Sequence, residues 1–152
     1  MMKTFATLSD VAAMVGQDVA TSPWLSITQT QINLFADATG DHQWIHIDPE
    51  RACEGPFGGP IAHGLLTLSL LPQFFASAFT VSDIRIGVNY GLNKVRFTSP
   101  VPVGSQLRAH LHLLKAETID NNGVQLTWQV KVEREGAEKP VCIAESLVRL
   151  YA

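Results

Sequence analysis

The run IAHGLLTLSLLPQFFASAF, Ile61 to Phe79, is the longest apolar stretch of the chain. Drawn as a helix over Ala62 to Phe79, it is apolar around most of its circumference. A helix of that kind is buried on nearly all sides. It does not read as a membrane span, which needs about 20 uninterrupted apolar residues. His63, Gly64, Ser69, Pro72 and Gln73 interrupt it. Pro72 has no N–H to donate, so it disturbs the middle of the helix or marks a kink. The fold follows from what is available to cover this segment.

Downstream the pattern changes to period two. Ile84 to Phe97, Gln106 to Glu117, Val124 to Arg134 and Val141 to Tyr151 read as strands. Leu107, Ala109, Leu111 and Leu113 alternate with polar residues, as do Leu126, Trp128, Val130 and Val132. Asn121-Asn122-Gly123 is a turn between two of these strands, and the stretch around Gly136 is another. Ser99 to Gly104 is a wide connection bearing prolines.

Upstream, Leu8 to Val15 has room for one or two helical turns, and Trp24 to Ile27 for a short strand. Thr28 to Gly40 reads as a helix. Thr28 and Gln31 stand in capping-box spacing, Ile32, Phe35, Ala36 and Thr39 share a face, and Gly40 supplies the stop. Asp48 before Pro49 starts a second, short helix running to Cys53. The simplest packing is a buried helix held in a curved antiparallel sheet, an α+β class.

The 152 residues suit one domain, residues 1–152, with a substantial core. Hydrophobic residues make up 46% and charged residues 16%, which indicates a globular chain. A net charge of -3 gives no electrostatic reason to expect nucleic acid or an anionic membrane. Cys53 and Cys142 lack metal-ligand spacing. With no basic-then-apolar leader in MMKTFATLSD, they read as reduced thiols in a cytoplasmic protein.

The chemistry concentrates in GDHQWIH, Gly40 to His46. An Asp and a His facing one point can divide the work of acid and base on a water molecule. Asp41 would equally cap a turn, and His46 would equally sit satisfied in a core. His42 and His46 are four apart near Asp41 and Asp48, but two His at that spacing share a face only on a helix. The stretch reads as a bend, so no metal is expected. Gly64, at the start of the apolar helix, offers an unpaired backbone N–H to a developing oxyanion and leaves room for close approach.

Ala38 to Ala52 (ATGDHQWIHIDPERA) followed by Gly58 to Leu70 (GGPIAHGLLTLSL) resembles the MaoC-like dehydratases, a family that includes R-specific enoyl-CoA hydratases. Gly40, Asp41, Ile45, His46 and Ala52 match the family motif. Gln43 stands where the family often has Asn, and Trp44 where it often has Pro. That variant is similar to the branch of nodulation protein N. Leu92 to Leu107 resembles the strand and turn that follow the central helix in these proteins.

The resemblance implies a hotdog fold, an antiparallel sheet wrapped around a long central helix. It implies a homodimer, or a higher homo-oligomer, acting on an acyl-CoA or acyl carrier protein thioester without a cofactor. Asp41 and His46 would activate water, and Gly64 N–H would bind the thioester carbonyl oxygen. Gln43, Trp44, His63, Lys94 and Arg96 are candidate substrate-binding residues. Each has a plainer reading. Gln43 would bond the loop backbone, and Trp44 would pack. His63 would be a helix-start residue without chemistry. Lys94 and Arg96 would be solvated or ion-paired instead of meeting coenzyme A phosphates. Phe74, Phe75 and Phe79 are core first and pocket lining second. The implied activity is hydration of an enoyl thioester, or the reverse dehydration. A non-catalytic acyl-thioester binding protein and a thioesterase are the alternatives.

Overall fold

The computed structural model describes residues 2–152. Strand β1 (Lys3–Phe5) leads into helix α1 (Leu8–Ala12), and strands β2 (Asp18–Thr21) and β3 (Leu25–Ser26) follow. Helix α2 spans Gln29–Thr39. Thr28 and Gln31 form the reciprocal capping box, and Gly40 closes the helix in the left-handed conformation at φ 82°. Two short helices come next, α3 (Trp44–Ile47) and α4 (Pro49–Cys53). The Asp48 side chain accepts from Arg51 N–H, so the expected cap at the start of α4 is present. Helix α3 is an addition, lying where the sequence suggested only a bend.

The long apolar run is two helices, α5 (Gly64–Ser69) and α6 (Leu71–Ala78). They meet at Leu70. Pro72 has no N–H to return to the preceding turn, and this ends α5. The central helix is therefore segmented, and it ends as Phe79 enters strand β4 (Phe79–Val81). Nor is it buried all round in the isolated chain. Leu66, Leu71, Phe74 and Ala78 are buried, while Leu65 is 59% exposed.

Four long strands complete the chain: β5 (Ile86–Arg96), β6 (Gln106–Ile119), β7 (Gly123–Arg134) and β8 (Cys142–Tyr151). The main sheet runs β2-β6-β7-β8-β5, antiparallel throughout, with β3 paired to the other end of β6. A separate parallel pair joins β1 to β4. The alternating residues of β6 (Leu107, Ala109, Leu111, Leu113) and of β7 (Leu126, Trp128, Val130, Val132) are all essentially fully buried. They form the core with Ile32, Phe74, Ala78 and Ala144. Burying each large apolar side chain contributes roughly 1.5–3 kcal/mol before the entropy of ordering it is subtracted. A bulge between Leu113 and Lys115 breaks the alternation of β6 and exposes Leu114 and Lys115 in succession. At the β6–β7 turn, Asn121 and Asn122 both adopt positive φ, 63° and 59°, which Asn tolerates better than most residues.

Strand β5 lies at the sheet margin. Its partner β8 covers one edge, and Ile86, Val88, Tyr90 and Leu92 remain between 43% and 54% exposed.

Candidate active site

The site is assembled by the extended segment Pro60–Ala62. Ile61 N–H donates to Ile45 O at 3.0 Å, and Ala62 N–H donates to Val101 O at 2.8 Å. Val103 N–H donates back to Pro60 O at 2.9 Å. These bonds dock α3 on one side of the segment and the loop after β5 on the other. From α2, Gln29 Nε2 donates to His46 O at 2.8 Å, so the backbone carrying His46 is held from a third direction.

His46 is buried. Its Nδ1 lies 2.7 Å from Ile61 O. A carbonyl only accepts, so Nδ1 carries the proton, and in the neutral ring Nε2 keeps its lone pair. Burial holds the His46 pKa below its ordinary value of 6.5. The bond to Ile61 O opposes that shift, the neighbouring His63 adds to it, and Asp41 opposes it. The outcome is a neutral imidazole with a basic nitrogen.

This shift carries a stability prediction. The unfolded chain takes up a proton on His46 near pH 6.5, and the folded chain resists it until lower pH. The contribution is therefore complete above about pH 6.5 and is lost as pH falls below it. The melting temperature should fall more steeply between pH 7 and 5 in the wild type than in His46→Gln. Parallel melting curves across that range would contradict it.

Asp41 follows Gly40 in the irregular stretch between α2 and α3 and is exposed. Its Oδ1 accepts from Gln43 N–H at 3.4 Å, a long and weak tie. His63, the N-cap residue of α5, is buried with its ring stacked on His46, centroids 3.9 Å apart and planes 24° from parallel. His63 Nε2 donates to Asp41 O at 3.0 Å. One donor atom from each of Asp41, His46 and His63 lies within 4.8 Å of the other two.

That closeness raises the question of a metal. The geometry disfavours one. Stacked imidazoles keep their in-plane lone pairs in two nearly parallel planes, so the two rings do not converge on a single ion.

A cavity of about 330 Å³ opens beside His46. Its walls include Gly64, Thr67, Ala62, Phe57, Phe97 and Val101. Gly64 is the first residue of α5, so its N–H has no acceptor within the helix. Among the described residues no other acceptor takes it up.

Of the residues singled out in the sequence, the structure brings together Asp41, His46, His63 and Gly64. His46 and Gly64 line the cavity, Asp41 and His63 adjoin it through His46, and Gln43, Trp44, Lys94 and Arg96 are not among its walls. Gln43 is the N-cap residue of α3 with no side-chain cap bond. Trp44 packs under the Arg51 guanidinium at 4.4 Å and against Gly55, where a methyl group would come within 2.9 Å of the indole. Lys94 and Arg96 are exposed on β5, and Arg96 Nη1 donates to Val95 O at 2.7 Å. Phe75 and Phe79 line a separate apolar cavity of about 480 Å³ with Trp128, Val148 and Leu150. The sequence did not point to the Ile61 carbonyl, Thr67 or Phe97. No local motif marks them, because each matters through a contact distant in sequence. Both cysteines are free. Cys142 is buried, which pushes its thiol up to about 11, so it is no thiolate nucleophile near neutral pH.

The family described as MaoC like domain matches residues 10–135. The chain belongs to the MaoC-like domain family. It is 55% identical over 151 residues to the 3-hydroxyacyl-thioester dehydratase Z of Mycobacterium tuberculosis, covering 99% of this chain and all of that one. It is 45% identical over 140 residues to nodulation protein N of Rhizobium leguminosarum bv. viciae, covering 91% of this chain and 87% of that one. Among solved structures, an R-hydratase from Pseudomonas aeruginosa in the unliganded form superposes with a TM-score of 0.69 at 28% identity, over 90% of this chain and 81% of that one. The hotdog fold expected for a MaoC-like chain is thus present, with the central helix broken at Leu70. The same matches agree with both halves of the sequence resemblance, to MaoC-like hydratases and to nodulation protein N.

Proposed function

We infer that this MaoC-like protein is a hydratase and dehydratase of acyl thioesters, interconverting an enoyl thioester and its 3-hydroxyacyl form. The observation that carries the chemistry is the convergence of Asp41 and a neutral, buried His46 beside a cavity walled by Gly64. The 55% identity to a 3-hydroxyacyl-thioester dehydratase over essentially the whole of both chains supports the reaction class.

In hydration, His46 Nε2 accepts a proton from water as the water oxygen bonds to the β-carbon. The Asp41 carboxylate orients that water and stabilises the charge that forms on the imidazole. The electron pair of the double bond moves toward the thioester carbonyl, whose oxygen becomes an enolate held by Gly64 N–H. The α-carbon then takes a proton from the Asp41–His46 pair. One water has been added, and both side chains are back in their starting states. Dehydration is the reverse.

The acyl group rides on coenzyme A or on an acyl carrier protein. In this reading the protein works as a homodimer. Support comes from the apolar margin formed by Ile86, Val88, Tyr90 and Leu92 of β5, which is exposed in a single chain. Unpaired strand edges and apolar patches of this kind are normally covered.

The test is loss of the conjugated enoyl absorbance when purified protein meets short- and medium-chain enoyl-CoA. The same preparation should elute at twice 16.6 kDa. Release of free thiol would instead indicate a thioesterase. Ligand-dependent thermal stabilisation without turnover would indicate a binding protein.

A further inference from the structure

We propose that His63 is a positioning residue for hydration, a clamp that holds Asp41 through its backbone while serving as the platform for His46. The inference rests on the hydratase reading and adds a residue to it.

Asp41 is otherwise loosely held. It lies in an irregular stretch after the left-handed Gly40. Its N–H donates to Thr39 Oγ1 at 3.4 Å, and its carboxylate accepts from Gln43 N–H at 3.4 Å. Both are near the limit of a hydrogen bond. The 3.0 Å bond from His63 Nε2 to Asp41 O is the shortest tie on the residue. A carboxylate that must meet water at a fixed point depends on it.

His63 is well placed to give that tie direction. Its ring lies between Phe35 of α2, centroids 4.9 Å apart, and His46 of α3 at 3.9 Å. Its backbone is fixed as the N-cap of α5, with His63 O accepting from Leu66 and Thr67 N–H. One buried ring therefore connects α2, the Asp41 stretch, α3 and α5.

The tautomer follows from the same contacts. Nε2 must carry hydrogen to bond a carbonyl. Nδ1 is buried and has no partner among the described residues. A hydrogen on Nδ1 would be a buried, unpaired donor, which is costly. The contacts thus select the Nε2–H tautomer of the His63 ring.

Two substitutions separate the clamp from simple packing. His63→Phe keeps a flat ring in the stack but removes the donor. His63→Gln removes the ring but keeps an N–H at the position of Nε2. The Phe variant should lose kcat on the order of 100-fold, as expected for a displaced reacting group, with KM within about twofold. The Gln variant should recover at least about tenfold of that loss. Wild-type kcat in His63→Phe would overturn the proposal, and so would a Gln variant no better than Phe. Should either variant fail to fold, the wild type decides. Long-range proton–nitrogen correlation spectra at neutral pH should show His63 as the Nε2–H tautomer. An Nδ1–H tautomer, which has no hydrogen on Nε2 to give Asp41 O, would overturn the clamp. A wild type inactive on every enoyl thioester would instead refute the hydratase reading, while the tautomer measurement would still report on the bond.

Discussion

His46→Gln and Asp41→Asn should each lower hydration of an enoyl thioester by about 10³-fold, within the range expected when a positioned acid–base group is removed. The two variants reach that loss differently. Asp41 is exposed and its side chain makes one long bond. Asp41→Asn therefore removes the charge that steadies the imidazolium and leaves the fold alone. Its melting temperature should match the wild type. His46 is buried, stacked on His63 and bonded to Ile61 O at 2.7 Å. Glutamine carries its amide nearer the position of Nε2 than of Nδ1, so it offers no basic nitrogen and weakens the bond to Ile61 O. Some stability is lost with the stack, roughly 1 kcal/mol as for one net hydrogen bond or aromatic contact, far too little to unfold the domain. Full turnover in either variant would reject the acid–base assignment. Loss of turnover together with loss of cooperative melting would not support it.

Gly64→Ala is the second large effect. A methyl group on Gly64 would come within 2.6 Å of the Phe97 ring. Such an approach forces something to move. Phe97 is 46% exposed, so its ring can swing outward at small cost to stability. The methyl and the displaced ring then occupy the approach to Gly64 N–H. Removing one donor to a developing oxyanion typically costs about 10²–10³ in rate. We expect a loss of kcat/KM of that order with a melting temperature within a few degrees of wild type. Unchanged kcat/KM would show that the carbonyl oxygen binds elsewhere.

These predictions depend on different layers of information. The helices around the site were legible because their signals are local. The Thr28–Gln31 capping box, the stop at Gly40 and the Asp48–Pro49 start each satisfy backbone groups within a few residues. Likewise the alternation of Leu107 to Leu113 and Leu126 to Val132 reports one buried sheet face, and all eight residues are buried. Helix α3 was missed because four residues give too little periodicity to detect. The short strands β1, β2 and β4 were missed for a related reason: they are defined by partners distant in sequence. The single long helix was overdrawn. Apolar content continues through Leu70 to Phe79, but Pro72 withholds the N–H that continuity requires.

The sequence by itself determined the residue types of the site and the class of fold. Acid–base chemistry needs an Asp and a His. The Gly-Asp and His-Gly pairs sit at recognisable positions, and the switch from helical to alternating periodicity sets α+β. Only the tertiary structure decided the state of those residues. His46 is kept neutral because burial disfavours its charge, and the Nδ1–H bond to Ile61 O, fifteen residues away, leaves Nε2 as the free basic nitrogen. His63 faces Asp41 O and His46 because α2, α3 and α5 converge on it. Gly64 lies against the Phe97 ring, which a methyl group there would push aside. Trp44, Lys94 and Arg96 point to other surroundings for reasons no motif carries. Charge state, ring orientation and steric room arise from contacts between distant segments, so they become defined only when the chain has folded.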